Sequence, residues 1–372
     1  MDVASYIDGL LYEAVTKRAS DIHIEPLHGK VRIRMRIDGQ LLETGCLDGK
    51  HLTSLVSRIK VMSQLDIGEK RLPQDGAFSF AKAGQHLHIR ISTLPTIHGE
   101  KVVMRLLRLR DKPFSLSELG LEAEQEQKID RLLRFKSGLL IVTGPTGSGK
   151  TTTLYTLLQV LNSQGTNIVS LEDPVELQLE GINQVQIHPR SGLTYASGLR
   201  AVMRQDPNVI MIGEIRDEQI ANIAVSAALT GHLVLSTLHT ADAASAVIRL
   251  LDLKLEPYRL AASLIGVIAQ RLVRRVCHEC SGNGCTICQQ TGYKGRIGVF
   301  EVMEADRTLA DRIMKQDSLG ELRDQLAGSG MKTISDMIRY RIKKGQTTLD
   351  EWMRVVDGVE KETPAGRAVH GI

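Results

Sequence analysis

GLLIVTGPTGSGKTTTLYTLLQVL, residues 138–161, reads as an apolar strand, a glycine-rich turn and a helix in immediate succession. That order is what the pattern G-x-x-x-x-G-K-[ST] needs before it can hold phosphate. Gly144, Gly147 and Gly149 permit backbone conformations that aim successive N–H groups at an anion, and the start of the helix adds partial positive charge. Lys150 would reach the β- and γ-phosphates of a nucleotide such as ATP, and the Thr151 hydroxyl would ligate Mg2+. Pro145, Thr146, Ser148 and Thr152 complete the loop. A plain tight connection is the competing reading, and the Lys-Thr pair in this strand–helix context argues against it.

Downstream of this stretch, short apolar runs (LLIVTG, NIVSLED, NVIMIGE, HLVLSTLHT) alternate with helical segments, the pattern of a largely parallel sheet covered by helices. The fold class is therefore α/β for this part, assigned to residues 119–276. Upstream, Ile7, Leu10, Leu11, Ala14 and Val15 recur at helical spacing. VRIRMRIDGQLLE then alternates apolar and basic residues around an Asp38-Gly39 hairpin turn. With a second helix through Leu52, Leu55, Val56 and Ile59 and short strands before KVVMRLLRL, residues 1–110 read as a smaller α+β domain. DKPFSLSELG carries the linker, set at 111–118. A cysteine-rich insert is assigned to 277–300 and a helical C-terminal subdomain and tail to 301–372, with TPAGRAVHGI frayed at the end.

The apolar runs end in chemistry. NVIMIGEIRD closes on Glu214, where a carboxylate beside the phosphate loop can orient or deprotonate an attacking water. A helix-start carboxylate is its bland alternative. Glu172, Asp173 and Glu176 in SLEDPVE also end an apolar strand, with an acidic surface turn as the competing reading. His232 and His239 flank LVLSTL, one at each end; they read as reporters of the γ-phosphate or as structural hydrogen-bonding residues. Cys277-x-x-Cys280 and Cys285-x-x-Cys288 have the pairing that holds tetrahedral Zn2+ through thiolates, in a site closed to catalysis. Reduced, metal-free thiols are the alternative. Four of the five cysteines lie in this cluster and Cys46 stands alone, which speaks for a reducing compartment and against a disulfide framework.

The balance of 47 basic and 43 acidic residues, net +4, makes no electrostatic case for nucleic acid, and 3% aromatic residues leave few stacking platforms. No apolar run approaches the roughly 18 to 20 residues that cross a bilayer, and the N-terminus lacks a signal-peptide pattern. The expected location is cytoplasmic.

Taken in order, SDIHIEP, SRIKVMSQLDIGEKRLPQDG, STLP, HGEKVVMRLL, GPTGSGKTTTLY, LEDPVE, MRQDPNVIMIGEIRD, TGHLVLSTLHT, IAQRLVRRVC and GYKGRIGVFEV resemble the secretion ATPases of type II secretion and type IV pilus assembly, the general secretion pathway protein E family. The resemblance spans nearly the whole chain. It implies a RecA-like P-loop ATPase domain assembled as a homohexamer, with a PAS-like N-terminal domain that swings against it. Glu214 matches the family's Walker B glutamate, Glu172 and Asp173 its acidic box, and His232 and His239 its histidine box. Arg58, Arg71, Arg200 and Arg204 match arginines that the family brings to the nucleotide, the first two from the N-terminal domain. The implied role is a motor that drives assembly of a pilus or pseudopilus for protein secretion, pilus biogenesis or competence. Its implied partners are an inner-membrane platform protein and a membrane-bound recruitment partner at the inner face of the cytoplasmic membrane, with pilin-like subunits engaged indirectly. Two features depart from the family. A further N-terminal domain that docks on the membrane partner is common there, whereas the motifs here begin at the second domain; and only SGNG separates the two cysteine pairs, where the family often has a longer insert. The cysteine pairs resemble assembly and secretion members more than retraction ATPases. A nucleic-acid-translocating RecA-like motor and a non-hydrolysing nucleotide switch are the rival functions.

Overall fold

The computed structural model describes residues 2–82, 85–108 and 114–360, which form two compact units, Met1–Asp111 and Lys112–Ile372. Residues 111–113 of the expected linker and the tail beyond 360 lie outside the described residues.

In the first unit, helix α1 (Val3–Thr16) starts where the Asp2 carboxylate accepts the N–H groups of Ala4 and Ser5, and it buries Ile7, Leu10, Leu11, Ala14 and Val15. Strands β1 (Ala19–Leu27), β2 (Lys30–Ile37) and β3 (Gln40–Asp48), helix α2 (Leu52–Met62), and strands β4 (Gln74–Lys82), β5 (Gln85–Thr96) and β6 (Gly99–Arg108) follow. The sheet is antiparallel in the order β3-β2-β1-β6-β5-β4. Asp38 and Gly39 join β2 to β3 with φ of 48° and 90°, the two positive values that a two-residue type I′ turn demands. Val31, Ile33, Met35 and Ile37 are buried and pack in one core with residues of both helices, while Arg32 and Arg34 lie on the other face and pair with Glu25.

The second unit runs α3 (Ala123–Leu133), β7 (Gly138–Thr143), α4 (Lys150–Leu161), β8 (Ile168–Glu172), β9 (Asn183–Gln186), α5 (Tyr195–Val202), β10 (Val209–Ile212), α6 (Glu218–Leu229), β11 (Leu233–Leu238), α7 (Ala243–Asp252), α8 (Pro257–Ser263), β12 (Leu264–Val276) and β13 (Tyr293–Glu304). Helices α9 (Arg307–Lys315), α10 (Leu319–Gly328), α11 (Ile334–Lys343) and α12 (Leu349–Glu360) close it. Its sheet has the order β13-β12-β7-β11-β10-β8-β9. Every neighbouring pair is parallel except β12 with β13. All residues of β7, β8, β10 and β11 are buried, because helices cover both faces; this is why those strands read as unbroken apolar runs.

The second half of the region assigned to the insert behaves differently from its assignment. Residues 293–300 belong to β13, which pairs with β12 from Val276↔Tyr293 back to Gly266↔Glu304. The cysteines therefore occupy only the tip of a long hairpin, and the chain returns through the sheet to reach the C-terminal helices. Glu351 of α12, fully buried, fastens those helices to β12 by accepting the backbone N–H of Arg274 at 2.7 Å and its Nε at 2.8 Å.

Candidate active site

Parallel pairing sends the C-terminal ends of β7, β8, β10 and β11 to one edge of the sheet, the edge where ligands of open α/β sheets bind. The phosphate loop leaves β7 there. Glu172 ends β8, Glu214 follows β10 and His239 follows β11. Four separate apolar runs thus deliver their terminal polar residues to one place.

Gly149 is the N-cap of α4, in the left-handed region at φ 92°, and Lys150 is its first residue, only 9% exposed. The Lys150 ammonium donates to the carbonyls of Gly144 at 2.7 Å and Pro145 at 3.1 Å, and lies 3.5 Å from His239 Nδ1. Burial pushes its pKa down to about 8, opposed by the Glu214 charge and assisted by Arg271. Pro145, Thr146 and Gly147 are exposed at the tip, as is Thr151 on the first turn of α4. Ser148 is buried and its Oγ has no hydrogen-bond partner among the described residues, so the loop holds an unsatisfied hydroxyl where a phosphate oxygen can bond. The donor set fits a nucleotide triphosphate: a run of loop N–H groups, an ammonium, the Ser148 hydroxyl, and the Thr151 and Thr152 hydroxyls, of which Thr151 is the one suited to magnesium.

His239 stands between the two charges of the site. Its Nε2 is 3.5 Å from Glu214 Oε2 and its Nδ1 faces Lys150. Burial, then the Lys150 charge, hold its pKa below the ordinary imidazole value. Glu214 Oε1 accepts from Arg216 Nε at 2.5 Å, and Arg216 also lies 3.7 Å from Asp173 and stacks over the Tyr195 ring at 5.9 Å. Lys150, His239, Glu214, Arg216 and Asp173 form one continuous electrostatic chain along the sheet edge.

The remaining expected residues stand apart from this chain of charges. Glu172 is 3% exposed, and its carboxylate accepts from the Tyr155 hydroxyl, Ser170 Oγ at 2.6 Å and Gln184 Nε2 at 3.0 Å. Donors on α4, β8 and β9 thus use it to brace the edge, and the exposed neighbour Asp173 faces the site. His232 precedes β11, so it lies at the opposite edge of the sheet from His239, about 20 Å away for a strand of this length. Its Nδ1 sits 3.0 Å from the Ala227 carbonyl, a link that closes the end of α6, and the two histidines are not brought together. Arg200 and Arg204 are exposed where α5 runs toward that same far edge. The next residue, Gln205, accepts from Asn167 at the start of β8. Among the described residues neither arginine has a bond to the phosphate loop.

In the first unit Arg58 is exposed on α2, and the Arg71 side chain is 89% exposed, held loosely by Glu69 at 3.3 Å. Its loop is firmly anchored. Lys60, 1% exposed, donates to the Glu69 carbonyl at 2.6 Å and pairs with Glu100 at 2.6 Å.

The four cysteine sulfurs of the hairpin tip lie within 4.8 Å of one another, with separations of 3.9 Å for Cys277 to Cys285, 3.7 Å for Cys280 to Cys288 and 3.6 Å for Cys285 to Cys288. Four thiolates at about 2.3 Å around one tetrahedral ion would stand about 3.8 Å apart, so this cluster fits zinc. Burial opposes ionisation of Cys288, but backbone N–H groups of Cys285 and Gly292 bring its thiol down to about 6. Gly282 and Gly284, at φ of 93° and 89°, let the short SGNG link turn back between the pairs.

Sequence reading missed Arg216 and Gln270. Arg216 stands two residues beyond Glu214, a spacing that could have announced it. Gln270 of β12 accepts from Thr153 Oγ1 at 2.7 Å and lies behind the phosphate loop, a contact no local pattern encodes.

Fold and site together define a RecA-like P-loop nucleoside triphosphatase. The profile of the family described as Type II/IV secretion system protein matches residues 2–354, and the chain belongs to that family. It is 47% identical over 361 residues to the type II secretion system protein HxcR of Pseudomonas aeruginosa, covering 95% of this chain and 77% of the relative. It is 43% identical over 378 residues to the type II secretion system ATPase E of Vibrio cholerae, covering 95% and 75%. Among solved structures, the Legionella pneumophila ATPase DotB matches with a TM-score of 0.75 at 22% identity, over 95% of this chain and 96% of that one. The pilus retraction motor PilT with bound ADP matches with a TM-score of 0.65 at 25% identity, over 93% and 95%. No helix among the described residues is long and apolar enough to cross a membrane.

Proposed function

We propose that this chain is a motor ATPase that hydrolyses ATP to drive assembly of a pilus or pseudopilus, as a type II secretion ATPase or a pilus-assembly counterpart. The observation that carries the reading is the meeting of Lys150, His239 and Glu214 at one sheet edge, in a chain belonging to the secretion family.

Loop N–H groups between Thr146 and Lys150 bind the β- and γ-phosphates, and Lys150 exchanges its two carbonyl partners for phosphate oxygens. Magnesium, held through Thr151, would neutralise phosphate charge. Glu214, steadied by Arg216, orients the attacking water and accepts its proton. His239, in reach of both Lys150 and Glu214, couples phosphate occupancy to the carboxylate. Glu172 keeps the acidic edge in place. Arg58 and Arg71 supply cations during hydrolysis, and Arg200 and Arg204 do so across a protomer boundary in a homohexameric ring. Loss of the γ-phosphate releases the contacts made to it, and that release is the step that becomes movement. Zinc at Cys277, Cys280, Cys285 and Cys288 is structural. The motor works at the cytoplasmic face of the inner membrane against a polytopic platform protein, held there by a membrane-bound recruitment partner.

Glu214→Gln in the full chain should keep ATP binding and lose at least about 100-fold in turnover, the scale of a general base. Parental turnover would remove Glu214 from the mechanism. Counting surface filaments by electron microscopy in cells carrying that variant separates the systems: loss marks pilus assembly, and unchanged filaments point to a short pseudopilus.

A further inference from the structure

The segment that carries His239 into α7 is gripped residue by residue from different parts of the second unit. Thr240 donates its N–H to Thr143 Oγ1 at 3.0 Å, and the two hydroxyls lie 2.7 Å apart, which ties the segment to the end of β7. The Ala241 carbonyl accepts from Arg271 of β12 at 2.5 Å. Asp242 caps α7 through the Ser245 N–H at 2.7 Å, and its other oxygen pairs with Arg323 of α10 at 2.6 Å and 2.9 Å. The Ala243 N–H donates to Glu301 of β13 at 2.9 Å.

Two of these grips lead to the C-terminal helices. Arg323 belongs to α10. Glu301, 4% exposed, accepts the Ala243 N–H on one oxygen and the Ile334 N–H, at the first residue of α11, on the other at 3.2 Å. One buried carboxylate therefore serves the starts of two helices, one leading from the active site and one in the C-terminal group. Glu301 and Arg323 contact none of Lys150, Glu214 or the phosphate loop among the bonds described.

We infer that Arg323 and Glu301 are positioning residues for hydrolysis, through which helices α10 and α11 fix the segment 239–243 and with it the place of His239 between Lys150 and Glu214. The C-terminal helices are thereby coupled to the chemistry: a force or partner that displaces α10 loosens Asp242 and moves His239. This rests on the reading of His239 as the link between phosphate and Glu214.

The test is a kinetic double-mutant cycle in the full chain. Leu322 and Leu326 keep α10 docked in the core, so Arg323→Ala removes the ion pair and leaves the helix seated. It should lower kcat about tenfold, inside the 100-fold that misplacing a catalytic group can cost, with the ATP KM within twofold. In a His239→Ala background the same change should have no further effect, and Glu301→Gln should behave alike. If Arg323→Ala lowers the thermal midpoint at the assay temperature, Asp242→Asn, which keeps a capping oxygen, carries the same cycle. Equal losses in both backgrounds, a rise in KM with kcat unchanged, or parental kinetics would overturn the inference. A His239→Ala variant with parental turnover would overturn the reading of His239 as well, so the two failures are distinguishable.

Discussion

The three glycines of the phosphate loop look alike in the motif and differ sharply in what surrounds them, so replacing each by alanine gives a graded result. At Gly147, φ is +79° and a Cβ would meet nothing within 4 Å. The cost is the left-handed conformation alone, about 1 to 2 kcal/mol, partly offset by the stiffer unfolded chain. At Gly149, φ is +92° and the Cβ would lie 2.8 Å from Gln270 Nε2. That amide must swing away and surrender its bond from Thr153, which adds about 1 kcal/mol for a total near 2 to 3. At Gly144, φ is +152°, a region glycine alone occupies, and the Cβ would lie 2.4 Å from the Gln270 carbonyl oxygen and 2.6 Å from Ser148 Oγ. The carbonyl belongs to β12 and cannot move without the strand, so about 3 to 6 kcal/mol is expected from strain and overpacking together. With about 2 to 4 °C per kcal/mol for a domain of this size, the thermal midpoints of the full chain, scanned at one rate without nucleotide, should fall by about 2 to 8 °C, about 4 to 12 °C and about 6 to 24 °C respectively, in that order within one set of scans. Gly149→Ala should cost about 1 kcal/mol less in a Gln270→Ala background. Midpoints for Gly144→Ala and Gly147→Ala within 2 °C of each other would refute the claim that β12 packs against the loop.

Elemental analysis of the purified chain should find about one zinc per protomer, and replacing Cys277 and Cys285 by serine should lower the thermal midpoint more than the turnover measured below it; protein free of zinc would end that assignment. Arg216→Ala should reduce kcat about tenfold with ATP affinity unchanged, since it frees Glu214 from its 2.5 Å partner, and a parental rate would show that Glu214 needs no steadying. Burial raises the Glu301 pKa from 4.5 to about 7. The folded state therefore binds this proton more tightly than the unfolded chain, and its stabilising share, complete below about pH 4.5, is lost as pH rises through 7. Relative to the parent, Glu301→Gln should thus gain about 2 to 3 kcal/mol of stability between pH 5 and pH 8, and a pH-independent difference would contradict the burial of a titrating carboxyl there.

What the sequence discloses follows from how parallel sheets are built. Each of LLIVTG, NVIMIGE and LVLSTLH is an apolar run whose last residues turn polar, and parallel pairing carries those ends to one edge, so Lys150, Glu214 and His239 are legible from the order of residues alone. The same rule, applied fully, separates the histidines: one flanks the beginning of β11 and the other its end, and six residues of extended chain keep them on opposite edges. Glu172 obeys the rule too, but its neighbours on α4 and β9 enclose it, and only the packing shows that Asp173 is the carboxylate left facing Arg216. Residues that act by approaching from a neighbouring strand or helix carry no local mark. Gln270 behind Gly149 and Arg323 on Asp242 come from positions 117 and 81 residues removed from the groups they bind. β13 was hidden for a related reason: a return strand after a cysteine-rich tip continues the glycine-dotted pattern of the insert, and only its antiparallel register with β12 marks where the tip ends. The residues that bind the phosphates and activate water are thus written into strand ends, while those that hold them in place are written into contacts between distant elements. Substitutions of the second kind, at Gln270, Arg323 or Glu301, would leave the phosphate loop, Glu214 and His239 intact and still alter turnover.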